Sequence, residues 1–404
     1  MSQLPIKIPF NKPFLTGKET VYIEQAVREG HLSGDGRFTR QCQQFFEQRY
    51  GFSKTLMTTS CTDALEMCAL LLDTQMGDEI IMPAYTFVSS ANAFVLRGAT
   101  VVFADSGTQN PNITAETIAP LITPRTKAIV LVHYAGVACD MDSIMLLAEQ
   151  HKLWVVEDAA HAIDSFYKKR PLGSIGHLAT FSFHETKNVI AGEGGLLVIN
   201  EPALQARAEI LREKGTNRSA FFRGEVNKYE WVDIGSSFLP SELIAAFLFA
   251  QLEQIDVIQQ KRIALWNCYC QHLQDLAQKG FFQMPQMPDF ATRNGHIFYI
   301  ICPENAHREQ LIRHLRLSGI YAVFHYLPLH LSPYYKKINE QQPNSRPVKQ
   351  NQALPNAEYY AEGLLRLPLY YELTIREVEW ICAEIEKFYV SKNVPLRRYD
   401  TAEY

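Results

Sequence analysis

The chain has 404 residues, 47% of them hydrophobic and 20% charged, with a formal net charge of −4. That apolar fraction supports one large domain or two of ordinary size and excludes a disordered chain, and the charge balance leaves no basic footprint for nucleic acid or an anionic membrane. The eight cysteines form no CxxC pair, Met1–Lys12 lacks the apolar core of a signal peptide, and no run reaches the roughly 18 apolar residues of a membrane span, so the expectation is a soluble cytoplasmic protein with reduced thiols.

From about residue 50 to 200, apolar runs alternate with helical patterns. The predicted strands are Glu79–Met82, Thr100–Ala104, Lys127–Val132, Leu153–Val156, Ala179–Phe183 and Gly195–Ile199. Amphipathic stretches such as Asp63–Leu72 and Asp142–His151 lie between them, which argues for βαβ units around a mostly parallel sheet. A long helical region, Ser241 to about Leu276, leads into a second, smaller α+β unit with strand-like pieces at His296–Ile301 and Ala322–Phe324. Its predicted helices are His307–Leu317 and Ile375–Phe388. The expected division is 1–256 for the large domain and 257–404 for the small one. Asn339–Gln352, polar and carrying Pro343 and Pro347, reads as a loop, and the charged tail after Ser391 as frayed.

Two residues carry the chemistry. Asp158 falls at the carboxyl end of the predicted strand around Val155 and Val156, the edge of an open α/β sheet where ligands bind. The next strand, Ala179–Phe183, delivers Lys187 into a segment containing Gly192, Gly194 and Gly195. Alone, Lys187 fits a surface lysine and Asp158 a helix cap. Together, an amine and a buried carboxylate are the minimum set for pyridoxal phosphate: the amine forms the Schiff base, and the carboxylate keeps the pyridine nitrogen protonated. Thr58–Asp63 precedes an apolar helix; its hydroxyls suit plain capping, and its free N–H groups suit a phosphate. Ser182 could add another hydroxyl to that phosphate. Phe87, just beyond a strand, is either core or a ring-stacking partner. His161 is either an ordinary buried histidine or a donor to the cofactor's phenolic oxygen.

Taken together, these segments resemble the DegT/DnrJ/EryC1/StrS sugar aminotransferases, within the fold-type I pyridoxal-phosphate enzymes. The resemblance runs over nearly the whole chain through Gly77–Pro83, Val132–Gly136, Glu157–His161, Ser182–Asn188, Glu193–Gly195 and Leu367–Leu369. Within the family, Gly34–Arg40, His184–Lys187 and Glu213–Gly224 are similar to members that aminate C4 of a 4-keto-6-deoxy sugar nucleotide.

The resemblance implies pyridoxal 5′-phosphate as cofactor, a sugar nucleotide and L-glutamate as substrates, and a homodimer with shared active sites. It implies that Lys187 is the Schiff-base lysine, that Asp158 is the pyridinium partner, and that His161 lies near the cofactor oxygen. Phe87 takes the stacking position, and Cys61, Thr62 and Ser182 become phosphate contacts. Arg218, Arg223, His325 and His330 are candidates to line the sugar-nucleotide site. One departure is at Ser237, where many relatives carry an asparagine that reaches the partner's phosphate; Leu239 stands where they often carry arginine. The resemblance leaves C3 amination, an equatorial C4 amine and a non-catalytic sensor as alternatives.

Overall fold

The computed structural model describes residues 7–341 and 353–391. Two helices, α1 (Glu19–Glu29) and α2 (Arg37–Tyr50), lead into a seven-stranded sheet. Its strands are β1 (Thr55–Thr58), β2 (Glu79–Pro83), β3 (Thr100–Ala104), β4 (Thr126–Val132), β5 (Trp154–Asp158), and, after a small hairpin of β6 (Phe166–Tyr167) and β7 (Arg170–Pro171), β8 (Leu178–Ser182) and β9 (Gly195–Ile199). The spatial order is β1-β9-β8-β5-β4-β2-β3. Every pairing is parallel except those of β9, which runs against both of its neighbours.

Near-continuous apolar runs produce this sheet because both of its faces are covered. Successive side chains alternate between two cores. Ile80, Ala128, Leu178 and Leu197 face α3 (Cys61–Leu71) and α4 (Val88–Val95). Ile81, Ile129, Ala179 and Leu196 face the opposite way, toward α2, α5 (Ala115–Ile118) and α6 (Met141–His151). After β9 come α7 (Pro202–Arg212), α8 (Arg218–Phe222) and α9 (Glu242–Leu252). The Glu242 carboxylate is buried and receives the N–H groups of Gly36, Phe38 and Thr39, so α9 holds the start of α2.

The long helical region predicted from Ser241 is two helices: the chain breaks at Glu253–Gln254 before α10 (Ile255–Gln278). Beyond it, β10 (Phe298–Ile301), α11 (Asn305–Leu317), α12 (Pro333–Gln341), α13 (Pro355–Gly363), β11 (Leu364–Leu367) and α14 (Ile375–Ser391) follow. Strands β10 and β11 pair antiparallel over a third core that includes Leu265, Tyr269, Phe298, Leu311 and Ile385. Ile8, from the far end of the chain, joins that core and bridges to Ile320. Ala322–Phe324 supplies no strand, only the bridge from Val323 to Arg366. Of the expected loop, the first residues end α12; 342–352 and the tail after Ser391 lie outside the described residues. All eight cysteines are free thiols, and no described helix is long and apolar enough to cross a membrane.

Candidate active site

A cleft of about 550 Å³ opens where the carboxyl ends of β5 and β8 meet the start of α3 and one edge of β11. Asp158, at the last position of β5, sits at its floor. Ser90 Oγ donates to Asp158 Oδ2 at 2.7 Å, and the Ala160 N–H donates to Oδ1 at 3.2 Å. Because Ser90 has one proton and gives it to the carboxylate, Thr86 Oγ1, 3.1 Å away, must be the donor to Ser90. Burial raises the Asp158 carboxyl, and the bonds from Ser90 and Ala160 and the Lys187 charge oppose that rise.

Lys187 stands on the turn after β8, where its N–H donates to His184 O (2.9 Å) and the Glu185 N–H to Gly192 O (3.0 Å). Burial brings its amine down to about 8, with Cys61 and Asp158 opposing and Arg366 adding to the drop. About a tenth of such an amine is neutral at pH 7, against well under a thousandth of an ordinary lysine.

The phosphate-sized end of the cleft is built at the start of α3. Ser60 caps the helix by accepting the Asp63 N–H at 3.0 Å. That leaves the N–H groups of Cys61 and Thr62 with no acceptor among the described residues, at the positive end of the helix dipole. Thr62 Oγ1 lies 2.8 Å from Ser89 Oγ, and Ser182, at the end of β8, lines the same cleft. Gly195 makes the close approach possible. A Cβ there would lie 2.3 Å from the Ser60 carbonyl carbon and oxygen and 2.5 Å from Cys61 N. Gly195→Ala is therefore expected to displace this loop, at about 1–3 kcal/mol for an overpacked contact. Cofactor content after dialysis and the melting temperature should both fall; wild-type cofactor content would show that the loop has room to yield.

The walls are aromatic. Phe87, at the start of α4, is 55% exposed and faces Tyr326 at 6.2 Å between ring centres. His161 Nδ1 accepts the Ala135 N–H at 3.3 Å, so its remaining proton is on Nε2, which is 3.3 Å from Tyr326 Oη. Burial, with the charges of Lys187 and Arg366, holds this imidazole neutral, well below the usual histidine range. His296 packs against it at 4.5 Å and is held through Nδ1 by Asn188 Oδ1 at 2.7 Å. Asn188 in turn donates to Gln259 and to Asn294 O.

The structure thus gathers Cys61, Thr62, Phe87, Asp158, His161, Ser182 and Lys187 around one cleft, together with His325. The remaining candidates lie elsewhere. His330 pairs with Glu358 at 3.2 Å. Arg223 is held by Glu209 and Glu225, and Arg218 lies 3.7 Å from Glu213. None of these three lines the cleft of this chain; acid partners, Glu358 on α13 and Glu209 on α7 among them, hold them aside. Ser237 is exposed and Leu239 half-buried, both outside the cleft. Sequence reasoning missed Thr86, Ser89, Ser90, Tyr326 and Arg366. The two serines lie two and three positions after Phe87, and Arg366 is the lone charge in the apolar strand Leu364–Leu367, signals that could have marked them.

A carboxylate at the floor, a depressed amine above it, and free N–H groups with hydroxyls at one end fit pyridoxal phosphate in donor chemistry. The comparisons agree. Residues 14–386 match the DegT/DnrJ/EryC1/StrS aminotransferase family. The spore coat polysaccharide biosynthesis protein SpsC of Bacillus subtilis (strain 168) is 32% identical over 384 residues, covering 92% of this chain and 94% of that protein. A solved aminotransferase from Psychrobacter cryohalolentis is 27% identical with a TM-score of 0.88, covering 95% of this chain and 100% of that one. Helicobacter pylori PseC, an aminotransferase involved in the biosynthesis of pseudoaminic acid, is 25% identical with a TM-score of 0.85, covering 95% and 99%. The chain belongs to the DegT/DnrJ/EryC1/StrS family and is a pyridoxal-phosphate-dependent sugar aminotransferase of the fold-type I class.

Proposed function

We propose that this protein moves an amino group from L-glutamate to C4 of a 4-keto-6-deoxy sugar nucleotide. The proposed acceptor is dTDP-4-keto-6-deoxyglucose, and the product is dTDP-4-amino-4,6-dideoxygalactose. The observation that carries the reading is the depressed Lys187 amine in one cleft with Asp158 and the α3 anion cradle. When bound, the cofactor supplies an aldehyde that holds the amino group and a ring that takes up electrons from the carbon losing its proton. Lys187 is the covalent anchor. Once freed, it takes the proton from Cα of glutamate and, in the second half-reaction, delivers one to C4 of the sugar. Asp158 holds the proton on the ring nitrogen, and the His161 Nε2–H donates to the ring oxygen. Cys61 and Thr62 hold the phosphate through their N–H groups, with Ser182 adding a hydroxyl, and Phe87 covers the ring.

The sugar assignment rests on the likeness around Gly34–Arg40, His184–Lys187 and Glu213–Gly224. The first of these segments is tied to the base of the third: Arg212 donates to both Asp35 carboxylate oxygens, at 2.7 and 2.8 Å. Neither lines the cleft of its own chain, and Phe222, at the end of α8, and Trp231 beyond it are 70% and 81% exposed. An apolar surface beside specificity segments supports a homodimer in which they face the partner's cleft. We further propose cytoplasmic residence and a division into 1–256 and 257–404, with α10 as connector.

Sedimentation at assay concentrations, with NMR of the purified product, tests both halves. The expected result is a dimer that forms an axial amine at C4. An active monomer would defeat the shared site, and an amine at C3 or an equatorial amine at C4 would defeat the sugar assignment.

A further inference from the structure

His296 brings a bare hydrogen-bond acceptor into the cleft. It stands in the segment before β10 and lines the cleft beside Ile297. That segment is held by the large unit. Asn294 Nδ2 donates to His161 O and Ile163 O, at 2.7 and 2.8 Å, while Asn294 Oδ1 accepts the His296 N–H at 3.0 Å. Gly136 leaves room for this amide, because a Cβ there would lie 2.3 Å from Asn294 Oδ1. The His296 ring therefore enters the cleft at a fixed point, 4.5 Å from the His161 ring and tilted 33° to it.

The neighbours of this imidazole settle where its hydrogen sits. Asn294 O can only accept, so the Asn188 atom 2.9 Å from it is the NH₂ group, which also donates to Gln259 Oε1 at 2.8 Å. Asn188 Oδ1 is then an acceptor, and the His296 Nδ1 that it meets at 2.7 Å carries the hydrogen. Burial first, then the neighbouring His161, Lys187 and Arg262, keep the ring neutral, well below the usual histidine range. A neutral ring with its hydrogen on Nδ1 has a lone pair on Nε2. No donor reaches that nitrogen among the described residues: His161 meets the ring by its face, and Asn188 holds the opposite edge.

We propose that His296 Nε2 accepts a hydrogen bond from the sugar hydroxyl on the carbon next to the reacting carbonyl, and so selects acceptors that carry one. The assignment rests on the amino-transfer reading and deepens it. Few ligand groups can donate to this nitrogen. The cofactor offers oxygens and one ring N–H, which Asp158 takes. The carboxylates of an amino acid accept, and its nitrogen is the group being transferred. The hydroxyls of a hexose remain. His296 is tied through Asn188 to the residue that follows Lys187 in the chain, so it stands beside the turn that carries the reacting amine. The hydroxyl nearest the reacting carbon is the one within its reach. For a ketone at C4 that hydroxyl is at C3, because the other neighbour, C5, bears the ring oxygen.

The test uses the holoenzyme in its amine form, mixed with the 4-keto sugar nucleotide or with its 3-deoxy analogue, following cofactor absorbance. In wild type the analogue should have a second-order constant about 5- to 100-fold lower, the range of one buried acceptor left unmade. Two variants divide the roles of the ring. His296→Asn keeps a donor for Asn188 Oδ1 and has no acceptor in place of Nε2. His296→Gln keeps an oxygen near the Nε2 position and loses the donor to Asn188. In His296→Asn the two sugars should react within about threefold of each other, at a melting temperature near wild type. His296→Gln should melt lower and still favour the hydroxylated sugar. Calorimetric titration with the matching 4-hydroxy sugar nucleotides, which have no carbonyl to react, should show the same pattern in affinity. No preference in wild type, or a preference kept in His296→Asn and lost in His296→Gln, would overturn the assignment, the second outcome marking a purely structural role. If the 4-keto sugar is inert and a 3-keto sugar reacts, the proposed acceptor fails while His296 is judged on the hydroxyls beside that carbonyl; if no keto sugar reacts, both fall.

Discussion

Lys187→Ala is expected to abolish measurable turnover while leaving the protein folded. The proposed mechanism makes the amine both covalent anchor and proton carrier, and a positioned acid–base group alone contributes about 10²- to 10⁴-fold. Removal opens little of the core, because Lys187 lies on a turn and lines the cleft rather than packing inside it. The depressed amine also predicts a pH dependence. A lysine brought down to about 8 is protonated below that pH and neutral above it, and only the neutral form can take a proton. Only the neutral amine can also attack the cofactor's aldehyde, so cofactor uptake by the cofactor-free protein should quicken as pH rises through about 8, instead of through the ordinary lysine range. Borohydride reduction followed by peptide mapping should find the cofactor on Lys187, and a label on any other lysine would sink the assignment. Partial rescue of Lys187→Ala by small primary amines would show that the lost function is proton transfer.

Much of this site was legible because its main residues sit where local rules put them. Val155 and Val156 mark a buried strand, so Asp158 falls at its carboxyl end; Ser60 and the following apolar run mark a helix start, so Cys61 and Thr62 present their N–H groups. What was not legible depends on tertiary approach. Ser90 reaches Asp158 only because α4 turns back beside β5, 68 positions away in sequence. Arg366 enters from the small unit, and nothing in Leu364–Leu367 states which face of β11 meets the large sheet. β1 escaped notice because it is four residues long and wholly buried, with no polar alternation to betray it. The break at Glu253–Gln254 is likewise silent: no proline or glycine marks it, and the apolar spacing runs on into α10.

Chain order alone does not say where the segments proposed for specificity lie. Gly34–Arg40 and Glu213–Gly224 flank the site in the family pattern, and the fold does bring them together through Asp35 and Arg212. It places them outside their own chain's cleft, where the dimer proposed above would set them against the partner's cleft. His325 and His330, five positions apart, separate for a simpler reason. The Tyr134 hydroxyl holds His325 at 2.6 Å at the cleft, while Glu358 on α13 draws His330 away.

Asp158→Asn is expected to cost about 10²- to 10³-fold in turnover, the scale of losing one preorganised electrostatic partner. A neutral amide is nearly the same size, so the cofactor can still enter, but it cannot hold the proton on the ring nitrogen. Without that proton the ring draws electrons poorly from the carbon being deprotonated. The hydrogen bonds are disturbed as well: whichever side-chain atom turns toward Ala160 N–H, either that donor or Ser90 Oγ–H meets an NH₂ group in place of an oxygen. Ser90→Ala removes the bond to Asp158 and the acceptor of the Thr86 hydroxyl but leaves the carboxylate in place, and should cost about five- to tenfold. Stability supplies a readout that activity cannot. Burial raises the Asp158 carboxyl above its unfolded value. For an acid, this means stability falls as pH rises from the unfolded toward the folded pKa, and at neutral pH the charged group burdens the cofactor-free fold in full. The asparagine variant should therefore melt at the same or a higher temperature without cofactor, and gain less than wild type when cofactor is added. Transamination near the wild-type rate, or an equal gain on adding cofactor, would mean that another group holds the ring proton.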